Sequence, residues 1–526
     1  MRRLVAIGLL AFTVVACRGD KSQDKAPPPT AEPAGSATRP PEDPCARAKP
    51  EGPLAWIHDD YAAALACAKQ KGVPLVLDLW APWCHTCLSM QSTVLTDPSF
   101  AADAPKFVFA ALDTDREVNA PAVEKFALSA WPTFYVIGPD EAVLSRFIGA
   151  ASVPQFHAFL DAGARAVTGA AAGADTHLLA SERALAVKDF AKAETELVAA
   201  LAAAPAEWPR KPDALVALMS TKSKRGDDAG CVTIAEQSMD ATGNAASASD
   251  FLYHAMTCAE GLVAGNGASE DTKDAKGAKD AKDAKGAKGA KGAKGAKDAK
   301  DAKRVARVAK LRERAVARWK QLLADPEAPL SVDDRSDAMA NLREALIALG
   351  KPDQGKAIAE EQRQLLDAAA AKAANPMAAM TYNWPRAEVY VFLGRPLELV
   401  SALEKSAADL PTEYDPPARL GWIYLKAGKL PEAAKWTDQA IRLAYGPRKI
   451  RVLAQRAEIA QQQQDRSAER LVREEIIKTY EALPPGHAQP EALAKARQAL
   501  ADLDVPAAGS GGGSGAPAGS GSGSAK

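Results

Sequence analysis

A chain of 526 residues is too long for one compact core, so two or more domains are expected. Its 66 Lys and Arg balance 66 Asp and Glu, which gives no ground for a nucleic-acid or acidic partner. Alanine is abundant and aromatic residues make up only 6%, favouring helical architecture over much of the length.

The first residues read "MRRLVAIGLLAFTVVACRGD". Arg2 and Arg3 form a positive n-region, and Leu4 to Val15 form an apolar run too short to span a bilayer. A short membrane anchor or a buried helix is the plainer alternative. "VVAC" then sets small and aliphatic residues before Cys17. This resembles the lipobox of bacterial lipoproteins, which implies a diacylated Cys17 as mature N-terminus. Arg18 stands where the sorting rules of that group look for Asp to hold a protein at the inner membrane, so outer-membrane retention is expected. No other apolar run is long enough to span. The expected location is the bacterial cell envelope, lipid-anchored and periplasm-facing. Such a compartment permits disulfides. Of seven cysteines, setting aside Cys17 leaves Cys45, Cys67, Cys84, Cys87, Cys231 and Cys258, an even number.

After the signal peptide (1–17), residues 18–50 are rich in Pro, Ala and charge and read as a disordered tether. At roughly 3 Å per residue a polyproline-like tether reaches on the order of 100 Å. Residues 51–165 alternate helical and apolar β-type runs: helix over Tyr61–Lys71, strand "VPLVLDLW", helix from Cys87, strand "FVFAALD", helix near Ala120–Leu128, strands "TFYVI" and "AVLSRFI", and a helix from Val153. The order αβαβαββα predicts an α/β layer fold.

Residues 174–265 and 304–505 are almost all helical in pattern. "ARLGWIYLKAGKLPEAAKWTDQAIRL" matches the tetratricopeptide pattern at Leu420, Gly421, Tyr424, Gly428, Leu430, Ala433 and Ala440. Tyr390 and Gly394 lie 34 residues before Tyr424 and Gly428, the period of that repeat. Phe190, Ala193, Ala200 and Pro205 fit the second helix of an earlier unit. Small residues recur because paired helices approach closely. A generic helical bundle is the alternative, since the units between 208 and 380 are degenerate. Residues 266–303, nearly pure "KDAKGAK" units, are expected to be a solvated linker, and 506–526 a Gly/Ser-rich disordered tail.

The stretch "LDLWAPWCHTCLSM" carries a CxxC, Cys84 to Cys87. Structural zinc would need four ligands, usually two such pairs, and the chain has no second CxxC. A plain structural disulfide over this spacing is strained and labile. Redox chemistry requires a strand, a short loop and a helix starting at the first cysteine, whose N-terminal N–H groups stabilise a thiolate. The sequence supplies that context.

Residues 73–149 resemble the thioredoxin superfamily well beyond the cysteines. "DLWAPWC" matches the strand leading into the active site, with Asp78 six residues before Cys84 and Trp83 just before it. "WPTFYVI" matches the segment that carries the cis-proline, here Pro132, and "RFIGA" matches the last strand. The stretch "CLSMQSTVLTDPSFAADAPKFVFAALDTD" looks closest to the group that includes the C-terminal domain of DsbD. His-Thr replaces the Gly-Pro of thioredoxin, Trp131 precedes the proline where smaller residues are usual, and Ala111 falls where thioredoxin carries a lysine near the buried acid.

Chemistry and resemblance together assign roles. Cys84 is the expected nucleophile; lowering its pKa from about 8.5 to about 7 raises its neutral-pH thiolate fraction from a few per cent to about half. Cys87 is expected to resolve the mixed disulfide. Asp78 interrupts a strand apolar on both faces, so burial raises its pKa. The resemblance implies proton exchange between Asp78 and Cys87; a satisfied structural carboxylate is the alternative. A cis Pro132 would set the backbone before Thr133 against the cysteines for a substrate strand. Trp83 is expected to cap the site or simply pack there. His85 is expected to donate to the Cys84 thiolate or sit beside it as a cation, or else to be exposed and passive. Cys231 and Cys258 lie nearly equidistant from the turn "ATGNAASAS" and are expected to be bridged. Cys45 and Cys67 pair by elimination, unless Cys67 is a buried thiol.

The fold expected is therefore a thioredoxin-like domain followed by all-α tetratricopeptide-like repeats. The function expected is thiol–disulfide exchange on protein substrates, serving redox homeostasis of the envelope. It needs no metal or bound cofactor, but it does need a redox partner to reset the pair and a protein ligand for the repeats. The alternatives are a non-enzymatic assembly scaffold whose thioredoxin-like domain only recognises partners, and metal handling through Cys84 and Cys87.

Overall fold

A computed structural model describes residues 43–126, 128, 130–169, 173–264, 289–483 and 489–504. The signal peptide, Cys17, the tether up to residue 42, residues 266–288 of the linker and the tail lie outside these.

The strands β1 (Lys49–Glu51), β2 (Leu54–His58), β3 (Leu75–Trp80), β4 (Val108–Asp113), β5 (Thr133–Ile137) and β6 (Val143–Ile148) form one sheet in the order β1-β2-β4-β3-β5-β6. β4 runs parallel to β2 and β3, whereas β1, β5 and β6 pair antiparallel with their neighbours. Helices α1 (Tyr61–Lys71), α2 (His85–Ser89), α3 (Ala120–Lys125) and α4 (Val153–Val167) complete the domain.

Period-two alternation divides each central strand between two cores. Leu75, Leu77 and Leu79 of β3 pack with Leu65, Ala68 and Phe126 on the α1 and α3 side. Val76 points the other way, to Met90, Phe134, Phe156 and Phe159 on the α2 and α4 side. With helices on both faces, the central strands are apolar on both sides apart from Asp78 in β3 and Asp113 at the end of β4.

Two boundaries differ from the expectation. Described structure extends back to Asp43, inside the stretch read as tether, where the Cys45–Cys67 disulfide ties the turn Pro44–Arg47 to α1. β1 and β2 follow at once, across a turn in which Gly52 adopts φ +62°. Pro50 and Pro53 hide these strands in the sequence, yet Pro50 lies on the edge strand, where a missing donor costs no ladder bond.

The rest is a chain of helices: α5 (Ala174–Ala186), α6 (Phe190–Ala203), α7 (Lys211–Lys224), α8 (Asp228–Ser238), α9 (Ser247–Ala264), α10 (Gly289–Ala324), α11 (Val332–Ala348), α12 (Pro352–Lys372), α13 (Pro376–Met380), α14 (Asn383–Phe392), α15 (Val400–Asp409), α16 (Asp415–Lys426), α17 (Leu430–Leu443), α18 (Gly446–Gln462), α19 (Arg466–Glu481) and α20 (Pro490–Ala501). α10 begins inside the stretch read as linker. Its C-terminal half is anchored by buried Val308, Leu311, Ala315 and Trp319. Once such a helix exists, each added residue costs little, and Ala and Lys favour propagation. A second disulfide, Cys231–Cys258, bolts α8 to α9 within that core.

The tetratricopeptide-like geometry is clearest at α16 and α17. Gly421 faces Thr437 so closely that a Cβ would lie 2.2 Å from its Oγ1 and 3.0 Å from its backbone N. Gly394 and Gly428, one repeat apart, end α14 and α16 in the left-handed region at φ +73° and +72°. Gly421→Ala is expected to destabilise the repeats by about 1–3 kcal/mol through overpacking. Urea unfolding followed by helical circular dichroism measures this; unchanged stability would contradict the close-approach account.

Candidate active site

β3 delivers the chain to its C-terminal edge, and the turn after it places Cys84 as N-cap of α2. The Cys84 Sγ accepts a hydrogen bond of 3.1 Å from the backbone N of Cys87, and the two cysteines are joined as a disulfide. α2 continues beyond Ser89 as a π-helical turn over Met90–Val94. In the reduced state this helix start offers unsatisfied N–H groups and a positive dipole end to a Cys84 thiolate.

Asp78 shares the sheet face of α2 with Val76. Its register partners are Ala111 on β4 and Phe134 on β5, neither of which offers a charge or a donor side chain. Its Oδ1 has no hydrogen-bond partner among the described residues. Desolvation alone therefore pushes the carboxyl up from 3.8 to about 8. Asp78 then exchanges its proton in the range where thiols titrate.

The Trp131–Pro132 peptide is cis. Thr133, fully buried and paired with Leu79, donates from Oγ1 to the carbonyl of Ala130 at 2.7 Å. The Trp131 ring stands edge-on to that of Trp83, 4.9 Å between centroids, and its Nε1 donates to Thr114 Oγ1 at 2.8 Å. Trp83 Nε1 donates to Asp115 Oδ2 at 2.7 Å.

Residues from the distant repeats close over this site. Cys84 and Cys87 are each 1% exposed and Trp83 4%; they share an apolar cluster with Tyr414, Ala418, Ala440, Ala444 and Val452. Tyr414 Oη donates to the Trp83 carbonyl at 3.3 Å, and the Arg448 guanidinium lies 5.4 Å from the Trp83 ring centroid. Ser89 at the end of α2 donates to Asp333 of α11 at 2.6 Å.

His85 is largely covered rather than exposed and passive, and its surroundings disfavour the cation. Burial pushes its pKa down to about 4; Asp415 opposes the shift, and Arg419 and Arg448 add to it. Its Nε2 lies 3.5 Å from Asp415 Oδ2, a long polar contact rather than an ion pair for a neutral imidazole. Asp415, fully buried, has its own partners in Arg419 at 2.6 Å and Asn383 at 3.2 Å. Tyr414, Asp415 and Arg448 are site residues that sequence reasoning missed. Only the carboxylate before a helix in "EYDPPARL" hinted at one of them.

The structure thus brings together Asp78, Trp83, Cys84, His85, Cys87, Pro132 and Thr133. Cys45–Cys67 and Cys231–Cys258 lie elsewhere, as clamps within the two parts of the fold. Asp78 carries a test by pH. Unfolded, the carboxyl ionises near 3.8; folded, near 8. Between those values the folded state holds one proton more, so stability falls as pH rises, by about 1.4 kcal/mol per unit. Asp78→Asn removes that slope, and its stability advantage over the parent grows from pH 4 to pH 8. Denaturant midpoints of the oxidised proteins across that range check this, and parallel profiles would contradict a buried, high-pKa carboxyl.

The thioredoxin-like family model matches residues 56–139. Thiol:disulfide interchange protein DsbD 1 of Pseudomonas aeruginosa is 35% identical over 91 residues, covering 16% of this chain and 15% of that protein. The chain therefore spans only a small part of that relative's length. Thioredoxin H-type of Oryza sativa subsp. indica is 34% identical over 105 residues, 19% of this chain and 79% of that protein. Among solved structures, a tetratricopeptide repeat protein from Parabacteroides merdae aligns over 62% of this chain and 98% of its own, at 12% identity and TM-score 0.36. The P58(IPK) TPR domain aligns over 63% and 99%, at 16% identity and TM-score 0.19. At such scores the tetratricopeptide-like reading rests on the paired helices themselves. Through the domain that holds Cys84 and Cys87, the chain belongs to the thioredoxin-like family.

Proposed function

We propose that this chain is an exported, lipid-anchored thiol–disulfide oxidoreductase that acts by dithiol–disulfide exchange on protein substrates, with its helical repeats as a docking surface. One observation carries the reading: a disulfide at a helix N-terminus, with a high-pKa carboxyl on the sheet face beneath that helix and a cis-proline turn in the same site. Residues that only recognised partners would have no use for the full set. Three disulfides in one chain suit an oxidising compartment, as the lipobox resemblance of "VVAC" does.

In the reducing direction, the Cys84 thiolate attacks a substrate disulfide and expels one substrate thiolate, leaving a mixed disulfide. Cys87 gives its proton to the Asp78 carboxylate and attacks the Cys84 sulfur, expelling the second substrate thiolate. The substrate gains two electrons, and Cys84–Cys87 ends as the disulfide. A redox partner must then return two electrons. In the oxidising direction the same steps run backwards, and the partner removes them.

Titration of the Cys84–Cys87 couple in glutathione buffers sets the direction. A potential near about −270 mV marks a reductase, and one near about −120 to −180 mV an oxidant or isomerase. Cys84→Ser is expected to abolish exchange with a protein disulfide, and exchange at the parental rate would refute the reading. The burial of the pair beneath the repeats favours one other reading, an assembly scaffold in which the domain only recognises partners. Full biological activity of Cys84→Ser would favour that scaffold.

A further inference from the structure

Exchange requires a third sulfur to approach Cys84 along the line of the existing S–S bond. In this structure nothing can. Cys84 is 1% exposed, and what covers it belongs to the same chain, more than 300 residues further on. We propose that the face formed by α16, α17 and the start of α18 is an intramolecular cover over the exchange site, and that proteins reach Cys84 only when these helices lift. The proposal rests on the exchange reading above.

Three features argue for a seat built to be left rather than a permanent core. The residues seated are those that a substrate would meet: Trp83 beside the first cysteine and Trp131 before the cis-proline, both packed into the shared cluster. The covering side is shaped for them. Ala418, Ala440 and Ala444 keep it low, and at Gly446 a Cβ would stand 3.2 Å from Trp83 Nε1, so the chain passes close over the indole. The third feature is polar. Buried nitrogens without a hydrogen-bond partner among the described residues gather at this seam: His85 Nε2, Arg419 Nε and Arg448 Nε. In a permanent core such atoms are a standing penalty; here each regains water when the helices lift, which lowers the cost of opening. Tyr414 and Arg448 then act as pins, one on the Trp83 carbonyl and one on its ring.

The test reads the rate at which the Cys84–Cys87 disulfide is reduced in the full chain, by mass mapping of alkylated cysteines. Two reductants are compared, tris(2-carboxyethyl)phosphine and reduced thioredoxin. Ala444→Arg puts a bulky charge into the seat, and Tyr414→Ala removes a pin. Each is expected to raise both rates at least tenfold, while Val198→Arg, on an exposed face of α6, leaves them unchanged. Unaltered rates in both seat variants, with helical circular dichroism intact, would overturn the proposal. Should both variants lose helix, the unaltered chain decides. A plateau common to both reductants supports the cover, whereas reduction by either reagent as fast as that of an exposed model disulfide overturns it. Faster reduction in the variants without electron transfer to a protein disulfide would leave the cover standing and remove the exchange reading instead.

Discussion

Trp83 is the joint on which this molecule turns. Its indole N–H is held by Asp115 within the thioredoxin-like domain, while its carbonyl and its ring are held by Tyr414 and Arg448 of the repeats. The next residue is the first cysteine. An aromatic gripped from both sides fixes where α2 begins and how the repeat face lies on it. The two parts of the fold therefore meet at the chemistry and not at a neutral surface.

Beneath that joint the site relies on contrast. β3 is buried on both faces, yet one of its inward positions is a carboxyl with Ala111 and Phe134 as register neighbours. Had a lysine stood at 111, as in thioredoxin, the acid would have had a charged neighbour. Without it, desolvation by burial raises the Asp78 pKa, and the proton stays on to higher pH. Above the joint the repeats impose the opposite shift on His85, which they keep neutral. Burial moves both groups toward their uncharged forms.

Much of the domain was legible. The runs at 73–80, 107–113 and 133–137 are mostly apolar segments bounded by turn residues, Asp78 being the one charge within them before Asp113, and they become β3, β4 and β5 nearly residue for residue. The run pattern placed the next helix from Cys87, three residues late; the start at Cys84 followed from what redox chemistry at a CxxC requires. Strands β1 and β2 were not legible, because Pro50 stands in the edge strand β1, which tolerates it, and Gly52 and Pro53 fill the turn between the two. The first half of α10 was hidden for the converse reason: its composition reads as spacer, and only the anchored half beyond Val308 extends the helix back. The surroundings of His85 could not be read at all. Its neighbours Tyr414, Asp415 and Arg448 come from another domain, and no local pattern encodes a contact across that distance.

The central claim is that Cys84 is the attacking sulfur of an exchange pair. The most direct measurement is to trap the mixed disulfide: the full chain carrying Cys87→Ser, incubated for hours with a disulfide-bonded protein, then digested and mapped by mass. The account predicts a covalent adduct through Cys84, with Cys45–Cys67 and Cys231–Cys258 still bridged. Cys84 recovered as a free thiol, with no adduct formed or one formed on another cysteine, would contradict it.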